Sequence, residues 1–150
     1  MNLDISQVVI TTVVVCLFLW RMSYGANNGL FAEAAGLVSV LAAFISIYYV
    51  MKIAGDVINA NFGTVITKIG YLVVAFLIYG VMKAIGEAFS KVKEVPVLSG
   101  INRLLGAVFG AAEAFLIIYL VQFITKIELL DTFKTVCLSV FEHIQKTFIK

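Results

Sequence analysis

Four long apolar stretches constrain this chain more than any other feature of its sequence. They run roughly over Ile5 to Trp20, Gly29 to Met51, Val65 to Met82 and Leu104 to Ile124. A bilayer core needs about 20 apolar helical residues, with about 17 as the lower limit, so the first and third stretches require their polar shoulders to span it. Each span has to be a helix, because lipid offers no partner to a free backbone group.

The composition agrees with a membrane protein. The chain has 150 residues, of which 62% are hydrophobic and 13% charged, and its mean hydropathy is +1.06. A soluble domain is about 45–50% apolar and about one quarter charged. The alternative, a soluble bundle of fully buried helices, would have to hide more apolar surface than a fold of this size can. We therefore expect an all-α, polytopic membrane protein with four transmembrane helices.

The C-terminal segment has a different pattern from the spans. Apolar residues recur there at steps of three and four: Leu130, Phe133, Cys137, Val140, Phe141, Ile144 and Phe148. This periodicity predicts an amphipathic helix. The chain therefore divides into a four-helix transmembrane domain, residues 1–125, and an amphipathic helix, residues 126–150. This helix is expected to lie in the headgroup plane, and the alternative is a cytoplasmic helix packed on a partner.

The segments around the spans support four retained spans, but they say little about which side of the membrane the termini occupy. No Lys or Arg precedes the first apolar stretch and no small-residue cleavage site follows it, so we expect this span to be retained rather than removed as a signal peptide. The segment Lys52 to Thr64 is expected to separate the second and third spans, and Asn59 to Gly63 within it has a turn composition. The segment Lys83 to Arg103 is expected to separate the third and fourth spans, and Pro96 prevents a continuous helix through it. Four spans place both termini on one side. Positive residues near the span ends divide five against four, which barely favours termini outside.

One carboxylate stands alone in the fourth span, after a glycine motif. On a helix of about 100° per residue, Gly110 falls near 40° from Gly106 and Glu113 near 340°, so the three residues share a face. An unsatisfied charge inside a span costs at least about 2.5–3.5 kcal/mol. The Gly-x-x-x-Gly spacing lets a neighbouring backbone come close. The glycines are thus predicted to create the interface that makes Glu113 tolerable.

A second copy of this pattern begins the second span. Gly25, Gly29 and Gly36 form part of a stripe of small residues, and Glu33 lies at its edge. We expect the second helix of each hairpin to carry the motif, so that spans one and two superpose on spans three and four. Such parallel repeats have their symmetry axis along the membrane normal. Both glycine faces would then point to the protein interior, with the two glutamates at similar depth.

Two interpretations of the glutamates remain open. Each could stabilise a contact between helices near the interface, or the pair could line a polar path or proton site. Arg21 and Arg103 precede the two glycine motifs and are the candidate partners. The alternative for each arginine is to reach towards lipid phosphate.

The chain offers little material for catalysis. His143 is the only histidine, and neither Cys16 nor Cys137 belongs to a paired-cysteine motif. We expect free thiols, no catalytic residues, no metal site and no cofactor. The net charge of +2 is spread over loops, so it does not indicate a nucleic-acid partner.

The segment Pro96 to Val121 resembles the most recognisable part of the colicin V production protein family. The shared pattern is Asn-Arg-Leu-Leu-Gly, three residues, Gly, then an apolar span, which here begins at Asn102 and Arg103 and includes Gly106 and Gly110. The Asn2-Leu3-Asp4 start, the early Gly-x-x-x-Gly with its acidic residue, and the segment Ile69 to Val81 are also similar to family members. The resemblance covers nearly the whole chain.

This resemblance implies a bacterial cytoplasmic (inner) membrane protein that supports production or export of a peptide toxin, together with envelope homeostasis. The expected partners are the lipid bilayer and either further copies of the chain or export-machinery proteins. A function from a different class is the alternative: a small oligomeric channel or ion-coupled transporter that uses Glu33 and Glu113.

Overall fold

The computed structural model describes residues 4–90 and 99–148. These residues form five helices and, within the two described ranges, no strand. The helices are α1 (Ile5–Asn28), α2 (Leu30–Phe62), α3 (Thr64–Ser90), α4 (Ser99–Thr125) and α5 (Leu129–Phe148). The first four are long and apolar enough to cross a membrane. The predicted fold class, four membrane-spanning helices plus a C-terminal helix, is confirmed.

The helices are longer than the apolar stretches that predicted them. Helix α2 has 33 residues, or about 50 Å at about 1.5 Å per residue, against a hydrocarbon core of about 30 Å. It continues through most of the segment 52–64 that was expected to separate two spans. Only Gly63, at φ 74°, interrupts the helix. Once a helix leaves lipid its side chains need not be apolar, so hydropathy alone underestimates its length.

Helix α3 likewise continues to Ser90 and includes Lys83, which the sequence had placed in a loop. The predicted break at Pro96 lies outside the described residues.

The helices associate mainly as two antiparallel pairs. Helix α1 packs along α4, and α2 packs along α3, while α2 also contacts α4 and joins the pairs. In the described ranges, no Cα atom of α1 lies within 8 Å of one in α3. The buried apolar core lies between α2, α3 and α4 and consists of Ala43, Ile47, Tyr71, Ala75, Leu120 and Ile124.

The outer surface of the bundle is strongly apolar. Leu19 and Leu77 are each 62% exposed, and Leu104 is 67% exposed. Cys16 lies on this surface as a free thiol, and Cys137 on α5 is also free and exposed. In a chain with four membrane-spanning helices this surface faces lipid, because water would penalise its exposure.

Helix α5 packs against α1 and α4. The Phe133 ring stacks on Phe18 of α1, with centroids 6.4 Å apart, and Val136 is only 6% exposed. The side of α5 turned to the bundle therefore includes Val136, which was not part of the apolar face predicted from the sequence. Cys137, which was, lies outside the contact.

Candidate functional site

A buried arginine brings the two predicted glutamates together. Arg21 of α1 is 3% exposed, and Glu33 of α2 and Glu113 of α4 are fully buried. The Arg21 Nη2 atom donates to Glu33 Oε2 at 2.6 Å and also to Glu113 Oε2. Glu33 lies in the first turn of α2, where the positive end of the helix dipole favours an anion. One guanidinium thus links three helices inside the bundle.

Helix α3 completes the site with two side chains. The Tyr79 hydroxyl donates to Glu113 Oε1. The Lys83 Nζ atom donates to the Tyr79 hydroxyl at 3.1 Å and lies 3.5 Å from Glu113 Oε1. We call these five residues, Arg21, Glu33, Tyr79, Lys83 and Glu113, the charge cluster. All four membrane-spanning helices contribute to it.

The charge cluster is formally neutral, because Arg21 and Lys83 balance Glu33 and Glu113. Tyr24 lies between the two cations, with its ring centroid 5.1 Å from Arg21 Cζ and 5.1 Å from Lys83 Nζ. Such contacts between cations and aromatic rings contribute about 0.5–2 kcal/mol, more where water is excluded. The balance of charges lowers the free-energy cost of burying these four ionisable groups, because an isolated buried charge is far more costly than a paired one.

Two polar atoms of the charge cluster are buried without a hydrogen-bond partner: Arg21 Nε and Glu33 Oε1. The Lys83 side chain is 13% exposed, so it is the charged member closest to the surface. The charge cluster therefore retains a spare donor, a spare acceptor and one partly accessible cation. The free Glu33 Oε1 can accept a proton without breaking the existing ion pairs.

Glycines on α1 and α4 bring the two backbones into direct contact beside the charge cluster. A Cβ atom at Gly25 would overlap the Gly106 carbonyl oxygen, and one at Gly106 would overlap that of Gly25. At Gly110 a Cβ would overlap the carbonyl oxygen of Arg21. We call this contact, formed by Arg21, Gly25, Gly106 and Gly110, the glycine seam. It leaves no room for a side chain between the two helices.

Gly36 of α2 makes room for the glutamate itself. A Cβ there would lie 2.7 Å from Glu113 Cδ and would overlap its carboxylate oxygen Oε2. Glycine at this position therefore leaves space for the Glu113 carboxylate, and not for the backbone of a neighbouring helix.

Asn102 of α4 holds the junction between α1 and α2. Its Oδ1 accepts a hydrogen bond from the Leu30 N–H at 2.9 Å, which satisfies one of the free donors at the start of α2. Gly29 separates the two helices at φ 83°, and a Cβ there would come within 2.5 Å of the Asn102 amide nitrogen. The left-handed backbone and the close amide both favour glycine at this position.

Only one of the two arginines expected to pair with the glutamates lies near them. Arg21 is at the centre of the charge cluster. Arg103 is exposed on the first turns of α4, and no ion pair joins it to another residue of the described ranges. Tyr24, Tyr79 and Lys83 were not selected from the sequence. The four-residue spacing of Tyr79 and Lys83 would have indicated a shared face if α3 had been extended past Met82.

The premise of the predicted repeat is wrong for the first motif. Gly25 lies in α1 and Gly29 at the break before α2, whereas Gly106 and Gly110 both lie inside α4. The two motifs thus face each other across one contact and do not occupy equivalent places in two hairpins. As expected, all four glycines are buried inside the protein, and both glutamates bind the same arginine.

Within 4–90 and 99–148, no group of three or more His, Cys, Asp or Glu side chains could hold a metal ion.

Comparison with known proteins gives one family. The family sequence profile described as colicin V production protein matches residues 10–142. No curated protein matches the chain. No solved structure matches it either.

Proposed function

This chain belongs to the colicin V production protein family, and we propose that it is a non-enzymatic component of the bacterial inner membrane that supports toxin export and envelope homeostasis. The toxin would be a peptide of the colicin V class. Family membership and four membrane-spanning helices make it a multi-pass membrane protein linked to colicin production.

The charge cluster is the observation that favours a scaffold. It is neutral, it joins α1, α2, α3 and α4, and both carboxylates are fully buried. A polar network whose members are paired fixes one arrangement of helices, because every alternative leaves a charge unpaired in lipid. A rigid bundle of this kind is suited to presenting a defined membrane surface to export proteins or to further copies of itself.

The test uses a colicin V-producing bacterium that lacks this protein. Toxin activity is measured separately in the medium and in cell lysate, and growth is measured in the presence of detergent. We expect the deletion to lower the ratio of secreted to retained toxin and to increase detergent sensitivity. The wild-type gene and an Arg103→Gln variant should restore both, whereas Arg21→Gln should not. Unchanged secretion in the deletion strain would refute the export role.

A second candidate function is a small channel or ion-coupled transporter that uses Glu33 and Glu113. The specific observation in its favour is that Glu33 Oε1 and Arg21 Nε are both buried without a hydrogen-bond partner. Reconstituted protein would be assayed for proton or ion flux in liposomes, with Glu33→Gln as the test variant and Arg103→Gln as the control. Flux that Glu33→Gln abolishes would favour transport over the scaffold. Absence of flux from wild-type protein would eliminate this candidate.

A further inference from the structure

Only one side of α5 is covered by the rest of the chain. Phe133 stacks on Phe18, Val136 is 6% exposed, and Leu129 lines a cavity of about 230 Å³ with side chains of α1 and α4. At about 100° per residue these three side chains fall within about 60° of one another around the helix. This arc of α5 is held against α1.

A second apolar arc of α5 adjoins the covered one. Cys137, Phe141 and Ile144 lie within the next about 80° around the helix, and all three are exposed. Phe141 is 64% exposed and Ile144 49% exposed. The apolar face is therefore about twice as wide as α1 can cover, and its uncovered half carries an aromatic ring.

The covered arc places α5 beside a membrane-spanning segment. The cavity that Leu129 lines is also lined by Val9 and Val13, which are 55% and 61% exposed on the apolar surface of α1. Phe18, which contacts Phe133, also belongs to this span. The uncovered arc of α5 is thus continuous with a surface that faces lipid.

The charges of α5 indicate which interactions would bind it to lipid. Lys134 and Lys146 balance Asp131 and Glu142, so the described helix has no formal net charge apart from His143. Polar side chains, including Glu142 and Lys146, occupy the opposite side. Binding through this face would depend on apolar insertion, and anionic lipid would not be required.

We propose that α5 enters the membrane alongside α1, with Cys137, Phe141 and Ile144 inserted among the acyl chains beside that span. The polar side chains lie on the opposite side of the helix, away from the acyl chains. The occupant of the uncovered arc is lipid hydrocarbon, and neither a second copy of the chain nor an aqueous partner covers it.

The test places tryptophan on the two sides of α5 in the full-length protein. Trp20, the only tryptophan, is replaced by phenylalanine, and Phe141→Trp is compared with the control Glu142→Trp. Both are reconstituted in phosphatidylcholine vesicles with or without brominated acyl chains. We expect brominated lipid to quench Phe141→Trp several-fold more than Glu142→Trp, and aqueous acrylamide to show the reverse order.

Two outcomes would overturn the proposal. Quenching of Phe141→Trp by acrylamide and not by brominated lipid would place this arc in water. Protection from both quenchers would show that protein covers it, through a second copy of the chain.

A second measurement leaves the apolar arc unaltered. In a Cys16→Ser protein, Cys137 should resist a charged maleimide applied to both faces of the membrane. Lys146→Cys, in a protein without either native cysteine, should react. Fast labelling of Cys137 would contradict insertion.

Discussion

The α1–α4 contact and the core between α2, α3 and α4 are both buried, but backbone atoms form the first and side chains form the second. In the glycine seam, the backbones of Gly25 and Gly106 touch with no side chain between them. In the core, side chains such as Ile47 and Tyr71 fill the space between helices. Lipid provides no hydrophobic drive for helices to associate, so both contacts depend on how closely atoms pack.

The difference explains where the charges lie. Arg21 is one turn before Gly25, and Glu113 is one turn after Gly110. Close backbones bring these two side chains within hydrogen-bond reach, which a seam of large side chains would prevent. The core between α2, α3 and α4 has larger side chains at its contacts and holds no ion pair among its clustered residues. The seam should therefore be sensitive to added volume and lost charge, and the core chiefly to lost volume.

The largest expected effect comes from Arg21→Met. This change leaves the buried Glu33 and Glu113 carboxylates without their shared donor. Breaking a buried pair by removing one partner costs about 3–5 kcal/mol. We expect a large fall in the thermal unfolding temperature of purified protein in detergent, measured by circular dichroism.

Arg103→Met is the matched control for this experiment, because Arg103 is exposed. It should change stability by less than about 0.5 kcal/mol. Adding Glu33→Gln and Glu113→Gln to Arg21→Met should recover part of the loss by removing the unpaired charges. Equal unfolding temperatures for Arg21→Met and Arg103→Met would mean that the charge cluster does not stabilise the bundle.

Gly106→Ala and Gly70→Ala are expected to change the thermal unfolding temperature less than Arg21→Met does, and Gly70→Ala should not lower it as Gly106→Ala does. At Gly106 the added methyl meets the Gly25 backbone, whereas at Gly70 no described atom outside its own helix lies within 4 Å. Overpacking costs about 1–3 kcal/mol, while alanine gains up to about 1 kcal/mol over glycine in a helix. Gly106→Ala should lower the unfolding temperature, and Gly70→Ala should leave it unchanged or raise it. A shift in the same direction for both would show that the seam is no tighter than the lipid-facing surface.

The sequence predicted the spans and the association of glycines with glutamates, because both follow from chain-local patterns. Apolar runs reveal spans directly, and a lone carboxylate in such a run requires a partner. It did not reveal that Gly29 breaks the helix, since Gly-x-x-x-Gly is equally compatible with a continuous one. Gly29 also packs against the Asn102 side chain, 73 positions along the chain, and a local pattern does not show such a contact.

Lys83 was missed for a different reason. Hydropathy assigns a lysine after an apolar run to a loop, although the helix continues beyond it. The choice between Arg21 and Arg103 also required tertiary structure. Arg21 is part of the glycine seam and is buried, whereas Arg103 lies near the start of α4, where its side chain is exposed.

The junction between α1 and α2 should show a moderate and local effect. Asn102→Ala removes the acceptor for the Leu30 N–H, and loss of such a cap costs about 0.5–2 kcal/mol. Amide hydrogen exchange should accelerate in the first turn of α2 and stay unchanged in the core segment of α3 around Ala75. Asn102→Asp retains the Oδ1 acceptor and should behave as wild type. Uniform acceleration across the bundle would mean that Asn102 supports the whole fold rather than this junction.

The smallest effect on the spans is expected from removing residues 131–150. Helix α1 has contacts of both kinds: glycine backbone against α4, and the Phe18 side chain against Phe133 of α5. Truncation removes only the second kind. The charge cluster and the glycine seam use no residue of α5, so they should still hold α1 in place. The truncated protein should remain in the membrane pellet after alkaline extraction, with unchanged topology reporters between the spans. Its loss from the membrane would show that side-chain contact with α5, rather than backbone contact with α4, keeps α1 in the bundle.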